Sequence, residues 1–232
     1  MQIKTTELAK LIDLSAVKAE DDDEYIKTCV EAAKKYRCIA VYPLASRVPL
    51  VKELMAGDED IIIGGTVGFP SGGETTQSKA FAAKELISMG CKEVDMVINI
   101  SKLRSKRYKE VQQDIAAVVD VCENIPVKVI LECYYLTEAE ILQGCDQILS
   151  AKAKWVKTGT GWAPTGATLE NVALLKSHVG NELGVKAAGG IRNLKILLEM
   201  YKLGARRFGL GLKSSTSILE EAFAETDGVL NF

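Results

Sequence analysis

Histidine occurs once in these 232 residues, at His178, inside the helix-like segment TLENVALLKSHVG. A histidine-built metal centre therefore has no material to work with. A Ser-His-Asp triad would need that same residue, and the chain also lacks a GxSxG elbow. Cysteines stand at 29, 38, 91, 122, 133 and 145 with no CxxC pair, mostly where inert burial is expected, which argues against thiol or zinc chemistry. The opening MQIKTTELAK is too polar for a signal peptide, so reduced thiols and a cytoplasmic location are expected. Without secretion the acceptor-like tripeptide Asn99-Ile100-Ser101 carries no meaning. Apolar runs stop far short of the roughly 18 residues that span a bilayer, which excludes a transmembrane helix. Lys plus Arg (29) nearly balance Asp plus Glu (31) without a block of either sign, so neither nucleic acid nor an acidic membrane is expected as a partner. No GxGxxG or GxxxxGK[ST], linker or low-complexity tract appears. A small-molecule partner is what these absences leave.

What the chain has is alternation. Short β-like runs fall at 11–14, 38–43 (CIAVYP), 60–70 (DIIIGGTVGFP), 93–99 (EVDMVIN), 127–134 (VKVILECY), 155–160 (WVKTGT), 184–190 (GVKAAGG) and 206–211 (RRFGLG). Amphipathic segments separate them, two of which begin like capping boxes, Asp21 with Glu24 and Thr137 with Glu140, and several of which end in glycine. Near-continuously apolar strands alternating with helices imply a parallel sheet covered by helices. Eight such units in one 47% hydrophobic chain predict a single α/β domain over 1–232, a closed (β/α)8 TIM barrel preceded by a short N-terminal helix from about Thr6.

Few charges interrupt the strands: Asp13, Asp95, Lys128, Glu132, Lys157 and Lys186. Barrel chemistry sits at the C-terminal ends of strands, which is where such groups would converge. Two-residue alternation puts Asp95 opposite the apolar Val94, Met96 and Ile98, hence inward, and puts Lys128 and Glu132 on one face. Lys157 closes an apolar run and is followed at once by small, turn-forming residues. An isolated ammonium is costly to bury. Such a lysine either snorkels outward, joins a structural ion network, or serves as an amine nucleophile. For the last, a second cation such as Lys186 on the next strand would lower its pKa, and Asp95 with a water would move protons.

The ordered motifs EVDMVIN, KVILE, WVKTGTG with the downstream GAT, VKAAGG and RRFG resemble those of deoxyribose-phosphate aldolase, a likeness that runs from LIDLS to the last strand. The resemblance implies a class I aldolase that cleaves 2-deoxyribose 5-phosphate to glyceraldehyde 3-phosphate and acetaldehyde, with neither metal nor cofactor. It implies Lys157 as imine former, Lys186 as its perturbing neighbour and Asp95 as proton relay. Asp13, Ser15, Lys128 and Thr160 would line the pocket, and Gly161, Gly189, Gly190 and Gly211 would approach the phosphate. Members of that family are often dimers, so a homodimer is the implied assembly.

Departures from the resemblance concern the phosphate end. Gly211 and Leu212 stand where a serine pair is usual, with Lys213, Ser214 and Ser215 only beyond them. Trp162 and Pro164 occupy the neighbouring loop, where the indole reads as a lid or packing residue. Ala40 and Ser71 replace a common cysteine and a common histidine, neither needed for imine chemistry. A non-phosphorylated or different deoxy sugar is the alternative substrate, and a non-catalytic sugar-phosphate-binding barrel the alternative of another class.

Overall fold

The computed structural model describes residues 1–225 and 227–232. Eight parallel strands close into a barrel in chain order: β2 (Ile12–Ala16), β3 (Ala40–Pro43), β4 (Ile62–Val67), β5 (Glu93–Val97), β6 (Val127–Ile130), β7 (Trp155–Lys157), β8 (Gly184–Ala188) and β9 (Ala205–Leu210), with β9 pairing back onto β2. The helices between them are α2 (Asp23–Tyr36), α3 (Val48–Leu54), α4 (Thr76–Met89), α5 (Ile100–Arg104), α6 (Tyr108–Cys122), α7 (Glu138–Ser150), α8 (Leu169–Val179) and α9 (Leu194–Lys202), with α10 (Leu212–Phe223) after the last strand. Their apolar stripes bury against the outward faces of the strands, where Val94, Met96, Val129, Val156 and Val185 are all sealed from solvent. Among the described residues no helix is long and apolar enough to cross a membrane.

Local chemistry sets the element ends. Thr75, Thr168 and Asn193 each accept a main-chain N–H of the helix they precede, and Thr137 and Glu140 form both halves of the expected capping box. The other expected box is not formed: Asp22, not Asp21, caps α2 by accepting the Tyr25 N–H. Asp21 instead accepts the main-chain N–H of Lys18 at 2.8 Å and fixes the preceding turn. The predicted strands overran their C-terminal ends, because the segments beyond Val67, Val97, Ile130 and Lys157 are apolar or extended but leave the ladder for loops. Asn99 is the clearest case, since its Oδ1 accepts the Lys102 N–H at 3.1 Å and opens α5 rather than ending β5.

Before the barrel come β1 (Gln2–Lys4) and α1 (Thr5–Ala9), and after it β10 (Val229–Asn231). β1 and β10 pair antiparallel, Ile3 opposite Leu230, so the two ends of the chain are tied together. Sequence periodicity does not reveal a three-residue strand whose partner lies at the other terminus. All six cysteines are free and buried, and burial pushes the Cys133 thiol up to about 12.

Candidate active site

Strand register assembles the interior charges. Lys157 lies opposite Lys186 across β7 and β8, Asp95 opposite Lys128 across β5 and β6, and Lys186 opposite Arg207 across β8 and β9. Asp95 Oδ2 receives Lys157 Nζ at 2.8 Å and Lys186 Nζ at 2.6 Å. Lys186 also stands 2.5 Å from Asp13 Oδ2. Arg207 grips Glu93 with two parallel hydrogen bonds, at 3.0 and 2.8 Å, and bonds Asp13 on its other edge. Lys128 reaches Glu93 at 2.6 Å and Tyr42 Oη at 2.8 Å, and Tyr42 donates in turn to Glu93 at 2.8 Å. The Tyr42 ring fits inside the barrel because Gly64 has no side chain; a Cβ there would overlap it.

Four basic side chains therefore face three carboxylates, one positive charge in excess. Buried charges are stable only when balanced. Burial alone would raise the Asp95 pKa, but Lys157, Lys186 and Lys128 together hold it well below the usual carboxylate range. Glu93 is held down to about 2 against its own burial, by Arg207 and Lys128. Lys186 is raised: Asp13 and Asp95 outweigh the effect of burial. Lys157 moves the other way, to about 8, chiefly because burial disfavours its ammonium and secondarily because Lys186 repels it, with Asp95 opposing both. Lys128 is lowered as well, again chiefly by burial, but of the two only Lys157 opens onto the cavity.

The motif around Lys157 is stapled on both sides. Thr158 Oγ1 donates to Ala188 O and accepts from Ala188 N, both at 2.9 Å, which ties β7 to the end of β8. Thr160 bonds Glu132 through its main-chain N–H at 3.1 Å and through its hydroxyl. Glu132 is buried past the end of β6 in the left-handed region, and burial raises its pKa. Lys157 is thereby fixed at the floor of a cavity of about 180 Å³ at the C-terminal end of the barrel.

Ser15, Thr160, Gly161, Gly189, Gly190 and Gly211 of the expected pocket line this cavity, together with Lys157. Lys186 and Asp95 stand directly behind Lys157. Asp13 and Lys128 do not reach the cavity wall; both are fully buried in the ion network behind it. Gly189 and Gly190 both have φ +86°, a conformation that a side chain would resist. Ser214 and Ser215 lie inside α10, where Ser215 bonds the carbonyls of Leu210 and Gly211. Leu212 N–H meets Tyr25 Oη at 3.2 Å.

Sequence reading missed Glu93, Arg207, Tyr42, Lys18 and Arg192. Glu93 shares the inward parity of Asp95, and Arg207 that of Gly209, so alternation could have found both. Lys18 and Arg192 sit in loops after β2 and β8, where no periodicity operates. His178 lies on α8 with Nε2 2.7 Å from Asp146, away from the cavity. Among the described residues no cluster of His, Cys, Asp and Glu is arranged to hold a metal ion.

Known proteins resemble this chain in sequence and in fold. A protein of Klebsiella pneumoniae named deoxyribose-phosphate aldolase is 41% identical over 223 residues, 95% of this chain and 90% of that one. The solved structure of QR15, an aldolase, superposes with a TM-score of 0.87 at 33% identity, covering 93% of this chain and 96% of its own. A tetrameric deoxyribose phosphate aldolase from Aeropyrum pernix shares the fold at a TM-score of 0.83 and 24% identity, over 95% and 92% of the two chains. Residues 7–209 match the family model described as DeoC/LacD family aldolase, and the chain belongs to that family.

Proposed function

We propose that this protein is a class I aldolase that cleaves 2-deoxyribose 5-phosphate through an imine at Lys157. The observation that carries the reading is the single excess charge of the buried network, relieved when Lys157 gives up its proton. The neutral amine attacks C1 of the open-chain sugar, and the carbinolamine loses water to leave a protonated imine. That imine withdraws electrons from the C2–C3 bond. Loss of the C3 hydroxyl proton breaks the bond, releasing glyceraldehyde 3-phosphate and leaving an enamine on Lys157. Protonation of the enamine at C2 and hydrolysis then free acetaldehyde and the amine.

Asp95, bonded to both lysines but set behind Lys157, moves these protons with a water in the cavity as the group in contact with the sugar, and Lys186 holds its own proton to keep Lys157 weakly basic. Ser15 and Thr160 orient the sugar, while the amides around Gly161, Gly189, Gly190 and Gly211 receive the phosphate. Asp13 and Lys128 act from behind the wall by fixing Lys186 and Asp95 rather than by touching sugar. Gly211 and Leu212 contribute no hydroxyl, which keeps a non-phosphorylated deoxy sugar as the second reading.

The chain 1–232 acts in this reading as one cytoplasmic barrel domain. It self-associates; sedimentation would distinguish the implied homodimer from the tetramer named for the Aeropyrum pernix protein. Incubation with 2-deoxyribose 5-phosphate should give glyceraldehyde 3-phosphate and acetaldehyde in equal amounts. Binding without either product would leave only the non-catalytic barrel.

A further inference from the structure

The mouth of the cavity carries a cation to which the imine chemistry gives no task. Lys18 follows β2, and its main-chain N–H is pinned by Asp21 at 2.8 Å. Its side chain crosses the mouth to the loop after β7, where Nζ donates to Gly161 O at 2.6 Å and lies 5.2 Å from the centroid of the Trp162 ring. Trp162 answers in the opposite direction, donating Nε1–H to Val17 O at 2.9 Å, and its ring meets Phe69 edge-on. Two opposed hydrogen bonds and a cation–π contact therefore fix the ammonium in place. An ammonium has three N–H donors, and the Gly161 carbonyl occupies one.

Lys18 lines the same cavity as Gly189, Gly190 and Arg192. On the β9 side, α10 begins at Gly211 and Leu212, which offer only main-chain groups, and Arg192 Nη1 is engaged with Ser214 Oγ at 3.2 Å. A phosphate dianion between these walls needs a second cation to offset its desolvation. Lys18 is half-buried, fixed in position and has donors to spare.

We propose that Lys18 is the specificity-determining residue for the anionic end of the substrate, binding the phosphoryl oxygens at the mouth opposite Arg192. The proposal rests on the aldolase reading above and assigns its preference for a phosphorylated sugar to this one ammonium. Trp162 is then the residue that holds Lys18 in place.

The test compares kcat/KM for 2-deoxyribose 5-phosphate and for 2-deoxyribose in the unaltered protein, Lys18→Met and Lys18→Arg. In Lys18→Met the preference for the phosphorylated sugar should fall roughly 10- to 100-fold, almost entirely through KM, the loss of a hydrogen bond to a charged group. Inhibition by inorganic phosphate should weaken in parallel, and Lys18→Arg should retain most of the preference. Reductive trapping of acetaldehyde on Lys157 in Lys18→Met shows that the floor of the site is still formed. Equal losses on the two sugars, or an unchanged preference, would overturn the assignment to Lys18. Absence of any trapped imine in the unaltered protein would instead remove the aldolase reading on which it rests.

Discussion

Lys157 and Lys186 sit side by side on adjacent strands, and their ammonium nitrogens share a single oxygen of Asp95, at 2.8 and 2.6 Å. Two cations on one carboxylate oxygen cannot both be fully compensated. Lys186 has Asp13 as a second partner, whereas Lys157 opens into the cavity and is the one whose proton is held loosely.

The pH dependence follows from that asymmetry. Lys157 reacts as the neutral amine, so imine formation should rise with pH through about 8. Replacing Lys186 by Leu removes a repelling charge and leaves Oδ2 of Asp95 to Lys157 alone. The apparent pKa should move upward, and a pH–rate profile left in place would show that Lys186 has no electrostatic role.

Asp95→Asn keeps the shape of the side chain but cannot accept protons as a carboxylate does. A drop in kcat of about 10²- to 10⁴-fold is expected, the range of general acid–base catalysis. KM should change far less, because Asp95 stands behind Lys157 and does not line the cavity. A loss confined to KM would place Asp95 in binding instead.

Stability should decline in acid. Glu93 is held at about 2, below its usual value of 4.5, and Asp95 is depressed as well. Their contribution is fully present above the unfolded-state values and is lost as pH falls from about 4.5 toward 2. Urea midpoints measured across that window should drop in the parent protein and drop less steeply in Glu93→Gln. An equal slope in both would show that Glu93 is not a source of the acid sensitivity.

Away from the site, Lys79 on α4 is buried against Asp114 on α6 at 2.6 Å and also donates to Val97 O at the end of β5. Asp114→Ala leaves that ammonium buried without its counter-ion. The expected destabilisation is about 3–5 kcal/mol by urea unfolding. A change below ~1 kcal/mol would mean that Lys79 finds water or another partner at little cost.

The order of eight strands and the inward parity of Asp95 and Lys157 were legible in the sequence because both follow from periodicity. The ends of the strands were not. Val67, Val97, Ile130 and Lys157 are each followed by residues that look like strand but turn away from the ladder, and there the cavity forms. The same limit explains Lys18 and Arg192, whose place on one cavity depends on loops after β2 and β8. Asp13 and Lys128 show the converse, since inward parity places a side chain in the barrel without saying how far from its mouth. Closure of the chain by β1 and β10 depends on a pairing between opposite ends that no local pattern encodes.

The most direct measurement is borohydride reduction in the presence of acetaldehyde, followed by mass mapping of the modified peptide. The label is expected on Lys157, with Lys157→Leu abolishing both label and turnover. A protein that stays unlabelled, or one still labelled after Lys157→Leu, would contradict imine chemistry at this lysine.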